Sequence, residues 1–158
     1  MRGSSERSES LKEQMKLEEA LPLIEAAFSA GVSFRFFPRG TSMLPMLRQG
    51  IDSVSIVSPK LREPKVGEVI LYRRKNGAFV LHRAIGREKD GSFICRGDNQ
   101  GIPERGVAQD SIIGVLEGYY KGEAWISADD FEYKKYVKKR MKTGWLRNLK
   151  GILRKIIK

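Results

Sequence analysis

Between residues 11 and 30 the apolar positions Leu11, Met15, Leu21, Ile24 and Phe28 recur at spacings of three, four or their multiples, with Glu and Lys between them. That is the period of a helix with one apolar face. Gly31 follows, a residue at which a helix ends cheaply because glycine accepts a left-handed backbone. From Val32 onward the period shortens to two. Alternation predicts strands over Val32–Phe37, Ser53–Val57, Gly67–Arg74, Ala78–Ile85, Ser92–Arg96 and Ile112–Tyr120, with Lys121-Gly122 turning into Glu123–Ile126. The clearest pair is joined across Arg74-Lys75-Asn76-Gly77, where Asn-Gly is a strong hairpin signal because both residues tolerate positive φ.

The helical period returns from Asp129 to Lys158. Trp145, Leu146, Leu149, Ile152, Leu153, Ile156 and Ile157 fall on one face, and Arg147, Lys150, Arg154, Lys155 and Lys158 fill the remainder. The expected fold class is mainly β within an α+β scheme: a compact, coiled antiparallel β domain between an N-terminal helix and a basic amphipathic C-terminal helix. Its divisions are a disordered tail over residues 1–10, a helix over 11–31, the β-rich domain over 32–127 and a basic helical tail over 128–158.

Charge alters this picture in one place. The net charge of +11 suggests nucleic acid until its distribution is read. Residues 134–158 hold 11 basic and no acidic side chains, leaving 19 basic and 19 acidic in residues 1–133. The β body is neutral, so nucleic acid is the least favoured partner. A basic face, an apolar stripe and Trp145 at its edge fit an anionic membrane surface over Trp145–Lys158, against the plainer alternative of a helix docked on the β core.

No run reaches the ~18 apolar residues expected of a membrane-spanning helix. Met1–Ser10 is polar and Ser-rich, without the apolar segment of an export signal. The expected location is the cytoplasm, peripheral at the inner face of the membrane. Cys95 is the only cysteine and His82 the only histidine, so no intramolecular disulfide and no recognisable metal cluster are expected, nor any cofactor. Cys95 alternates with Phe93 and reads as a small core residue.

Three segments carry candidate chemistry. Gly40-Thr41-Ser42-Met43-Leu44-Pro45 follows a strand directly, and a serine between glycine and proline is held in the fixed geometry a nucleophile needs. Ordinary turns use the same residues. His82 lies on the second hairpin strand, with Val80 and Ala84 on its face and Leu81, Arg83 and Ile85 on the other. A lone strand histidine is more often structural, yet its ordinary pKa suits a general base. Asp98, in Arg96-Gly97-Asp98-Asn99-Gln100, is either a turn-former or the acid that orients the imidazole.

In this order the segments resemble the signal peptidase I superfamily, whose members carry Gly-x-Ser-Met-x-Pro, Gly-Asp/Glu-Val-Ile, Lys-Arg or His-Arg, and Gly-Asp-Asn motifs. Here they read Gly40–Leu47, Gly67-Glu68-Val69-Ile70, His82-Arg83 and Gly97-Asp98-Asn99, spanning about Phe34 to Gly118. Histidine in place of the lysine base is similar to the endoplasmic-reticulum, archaeal and sporulation-type branch. The resemblance implies Ser42 as nucleophile and His82 as base. It implies Asp98 as orienting acid, with Glu104, six positions further on, as the second choice. Gly40, Thr41, Met43 and Pro45 would meet a peptide or protein substrate bound as an added strand. The chain departs from the family in three ways: a polar-faced helix stands where a membrane anchor usually precedes the serine, Gly40 replaces a hydroxyl residue that assists the oxyanion in some members, and no export segment is seen. The oxyanion site then rests on the Ser42 N–H and a neighbour the sequence does not assign.

The expected function is a serine endopeptidase working through an acyl-enzyme. Two alternatives stand beside it. One is self-cleavage, as in related repressors, although those use a Ser-Lys pair and carry a DNA-binding domain for which Leu11–Ala30 is too short. The other is a non-catalytic module that keeps the peptide groove.

Overall fold

The computed structural model describes residues 16–142. Helix α1 (Leu17–Ser29) opens with Glu18 and Glu19 in its first turn, where acidic groups meet the positive end of the helix dipole. It closes as the glycine predicts: Gly31 has φ 73°, its N–H bonds the Phe28 carbonyl, and the Val32 N–H reaches back to Ala27. Ala20 and Ile24 form the buried stripe, with Leu17 and Phe28 packed beside them. Leu11 and Met15 lie outside the described residues, as does the expected tail over 1–10.

Eight strands follow: β1 (Phe34–Phe36), β2 (Ser53–Val57), β3 (Val69–Arg73), β4 (Phe79–Arg87), β5 (Phe93–Arg96), β6 (Glu104–Val107), β7 (Ile112–Lys121) and β8 (Ala124–Ser127). All pair antiparallel in one sheet ordered β1-β2-β7-β3-β4-β5-β6, with β8 on β7. The fold is mainly β with helices before and after the sheet. Seven of the strands match those expected from alternation; β6 does not, because Glu-Arg-Gly-Val carries no two-residue period. The β3–β4 turn also differs from the expected pair of positive-φ residues. Only Gly77 has positive φ, at 89°, while Asn76 uses its side-chain oxygen to accept the Ala78 N–H. A type I turn with a left-handed glycine satisfies the same sequence.

Both faces of the central strands are buried, on two different cores. Val69, Leu71 and Leu81 join one cluster with α1, Met43, Met46 and Leu47; Ile70, Tyr72, Val80 and Ala84 join the other with Phe93 and Cys95. The alternation in β3 and β4 therefore sorts residues between two apolar layers rather than between core and water.

A helix α2 covers residues 131–142 of the described range, starting two residues later than expected. Tyr133 is buried, and Tyr136 and Val137 pack on the first core. The stripe from Trp145 to Ile157 lies outside the described residues. Among the described residues, no helix is long and apolar enough to cross a membrane.

Candidate active site

Ser42 sits on a loop that is pinned from three directions. Met43, Met46 and Leu47 are each at most 4% exposed and anchor the loop in the first core. The Lys121 ammonium donates to the carbonyls of Pro45 (2.7 Å) and Met46 (2.9 Å). From the other side the Asn99 N–H bonds the Ser42 carbonyl at 2.9 Å, and the Asn99 side chain donates to the Thr41 carbonyl. Asp52, fully buried, ties Lys121, Arg48 and the Gly122 N–H into one cluster. Burial alone would raise the Asp52 pKa, but hydrogen bonds from Arg48, Gly122 and Lys121 hold its carboxyl well below the usual range.

Gly97 is required by contact. A Cβ there would stand 2.5 Å from the Ser42 carbonyl oxygen and 3.0 Å from the Ser42 Cβ. Only glycine lets the Gly97–Asn99 segment approach the serine this closely.

The central observation is a pair. His82 Nε2 lies 3.2 Å from Ser42 Oγ, two residues 40 apart in sequence. His82 is 7% exposed. Burial lowers its pKa to about 4, and the positive charge of Arg74 adds to the effect against weaker pulls from Glu104 and Asp98. The imidazole is thus neutral near pH 7 and free to accept a proton. For Nε2 to do so, Nδ1 must carry the ring hydrogen. Nδ1 is buried and has no partner among the described residues, and the same holds for the Tyr72 hydroxyl beside it.

Asp98 does not fill that role. Its two oxygens accept from Arg83 Nε and one terminal guanidinium nitrogen, both at 2.8 Å, and from the Tyr136 hydroxyl at 2.8 Å. The reason is the strand: Arg83 and His82 are neighbours on β4 and point to opposite faces, and Asp98 follows Arg83. The pair is almost wholly buried, with the side chains 1% and 2% exposed, and Arg83 also donates to the Gly67 carbonyl and the Tyr133 hydroxyl. Asp98 is a structural acid that carries the Gly-Asp-Asn segment onto α2.

Glu104 shares a pocket with His82. β6 pairs Glu104 with Cys95, and Cys95 pairs with Ala84, two residues along β4 from His82. Glu104 and His82 line the same pocket of about 360 Å³. In this state Glu104 accepts from Arg74 Nε at 2.6 Å rather than from the histidine. Cys95 closes the pocket, its thiol pushed up to about 12 by burial and by the Glu104 charge. It is an inert core thiol, as its alternation suggested.

Ser42 and His82 also lie in a larger groove of about 830 Å³. Its walls include Phe36, Phe79 and Leu81 from the sheet, and Leu17 and Leu23 from α1. Of the expected substrate-contacting residues, Gly40 and Met43 line this groove, whereas Thr41 and Pro45 do not; the carbonyls of the latter two accept from Asn99 and Lys121. Sequence reasoning missed α1 as a groove wall, Arg74 as the charge beside the histidine, and Lys121 as the clamp on the serine loop. Arg74 was visible as part of the hairpin turn, but nothing in its neighbours marked which way it points.

No family model matches the chain, and no curated protein matches it.

Proposed function

We propose that the protein is a serine peptidase of signal peptidase type, cleaving a peptide or protein laid along the groove. The observation that carries this reading is the 3.2 Å approach of His82 Nε2 to Ser42 Oγ on the floor of a groove with an apolar wall. Ser42 Oγ attacks the scissile carbonyl carbon as its proton passes to His82 Nε2. The tetrahedral adduct collapses to an acyl-enzyme, and His82 returns the proton to the departing amine. Water, deprotonated by His82, then releases the acyl group.

Glu104 is the acid assigned to Nδ1. Its turn from Arg74 to His82 within the shared pocket would satisfy a buried orphan and stabilise the imidazolium that forms during attack. The experiment is turnover of an internally quenched leader-like peptide with alanine just before the cut. Ser42→Ala and His82→Ala are expected to lose at least about 100-fold in kcat. Cleavage that survives either change at the wild-type rate removes the assignment.

One observation favours a second reading. A histidine with its Nδ1 unpaired and its pKa near 4 is a poor base, as expected of a groove that binds peptides without cutting them. Retained peptide binding with no covalent labelling of Ser42 and no turnover is the outcome that selects it.

A further inference from the structure

A tetrahedral adduct on Ser42 places a negative oxygen in the groove, and one backbone N–H is a thin support for it. The Ser42 N–H is unspent, donating to nothing among the described residues. The neighbouring groups on its own loop do not supply a second donor. The Gly40 N–H is taken by the Gln49 side-chain oxygen at 3.1 Å, and Thr41 does not line the groove. Asn99 has committed its N–H to the Ser42 carbonyl and its amide nitrogen to the Thr41 carbonyl. Arg74 lines both the groove and the pocket behind His82, but its guanidinium is held by the Glu104 carboxylate, to which Nε donates at 2.6 Å.

Gln100 is differently placed. It lines the groove with Ser42 and also the pocket behind His82. Its side-chain oxygen accepts the Gly97 N–H at 3.2 Å, which anchors one end of the amide. That oxygen and the Ser42 Cβ each lie 3.0 Å from the point where a Gly97 Cβ would stand, so they are within twice that distance of each other. The other end of the amide, the NH2, meets no acceptor among the described residues.

We propose that Gln100 is the second oxyanion donor, its NH2 group converging with the Ser42 N–H on the oxygen of the tetrahedral adduct. This assignment rests on the peptidase reading above. The Gly97 N–H bond to the amide oxygen restrains this exposed side chain at one end and leaves its NH2 available to the oxyanion.

Three variants separate the roles. Gln100→Ala removes both ends, Gln100→Leu does so while keeping side-chain bulk, and Gln100→Glu keeps the acceptor for the Gly97 N–H but removes the donor. On the quenched peptide, all three are expected to lose about 100- to 1,000-fold in kcat with KM little changed. A peptide aldehyde of the same sequence, whose hemiacetal oxygen occupies the oxyanion position, should bind each variant at least about tenfold more weakly than wild type. The unmodified peptide should bind all four proteins alike. Wild-type kcat in Gln100→Glu would reduce the residue to a support for Gly97 and overturn the proposal. So would equal aldehyde affinity across the variants. If wild type and Ser42→Ala both leave the peptide uncut and the aldehyde binds both equally, the peptidase reading itself fails; if wild type cuts and the Gln100 variants cut equally, only the donor assignment does.

Discussion

At His82 the chain's composition becomes an experimental advantage. It is the only histidine, so its imidazole resonances report one titration without assignment. The expected pKa is near 4, below the ordinary 6.5, because burial and then Arg74 disfavour the charged ring. A depressed pKa means the unfolded chain binds the proton first. The stability contributed by the neutral, buried ring is therefore complete above about pH 6.5 and is lost as pH falls toward 4. The acid limb of kcat/KM should lie in the same region, flat through pH 6 where an ordinary histidine base would already be failing. Arg74→Gln removes a repelling charge and frees Glu104, so the titration should move upward, by NMR and by rate alike. An imidazole already titrating near 6.5 in the wild type would show that the buried environment is misjudged. Ser42 and His82 were both legible from motif order and from their uniqueness or loop setting. Which acid shares a pocket with the histidine was not: the opposite faces of His82 and Arg83 could be read, but not that Arg83 claims Asp98 or that β6 brings Glu104 to the His82 side.

The same distinction separates two acids by what their loss does to the elements. Asp98 joins three of them: β4 through Arg83, α2 through Tyr136, and the serine loop through the backbone of its own segment. Asp98→Asn leaves Arg83 charged and buried, and removal of one partner from such a pair costs about 3–5 kcal/mol. Urea denaturation should show that loss, whereas Glu104→Gln should unfold nearly as the wild type does and instead lower kcat by about 100-fold. Reversal of the two phenotypes would make Asp98 the orienting acid after all. The strands were readable as short apolar runs bounded by turn signals, with Gly67 before β3 and Asn76-Gly77 between β3 and β4. β6 was not, because a short edge strand with Arg105 and Gly106 exposed has no apolar face to announce it. Nor did local sequence reveal that α1 walls the groove, since that follows from where the helix packs in the folded chain.

For the whole molecule, the uneven charge is the property still to be tested. We propose that the basic residues beyond Lys142, with the apolar stripe from Trp145, attach the protein to anionic membrane surfaces. Each Lys or Arg close to such a surface contributes about 1 kcal/mol, falling as salt screens it. The useful comparison is the full chain against residues 1–142, since a cut at residue 130 would also remove the tyrosines that cover Arg83 and Asp98. With vesicles containing phosphatidylserine, the full chain should co-sediment at low salt and release at high salt, and the shortened chain should stay in solution. Equal sedimentation of both would exclude the tail as the anchor. The neutral stretch over residues 1–133 and the basic stretch after it were plain from sequence; that α2, with six of the eleven basic residues, packs on the sheet was not.

The brace on Ser42 has an implication for timing. The serine is made early in the chain, its histidine 40 residues later, and the segment that grips its carbonyl later again, held in turn by a tyrosine on α2. A growing or partly unfolded chain therefore has the serine but not the machinery around it. On the proposed peptidase reading, the chemistry of this pair requires the polypeptide to have been read through α2.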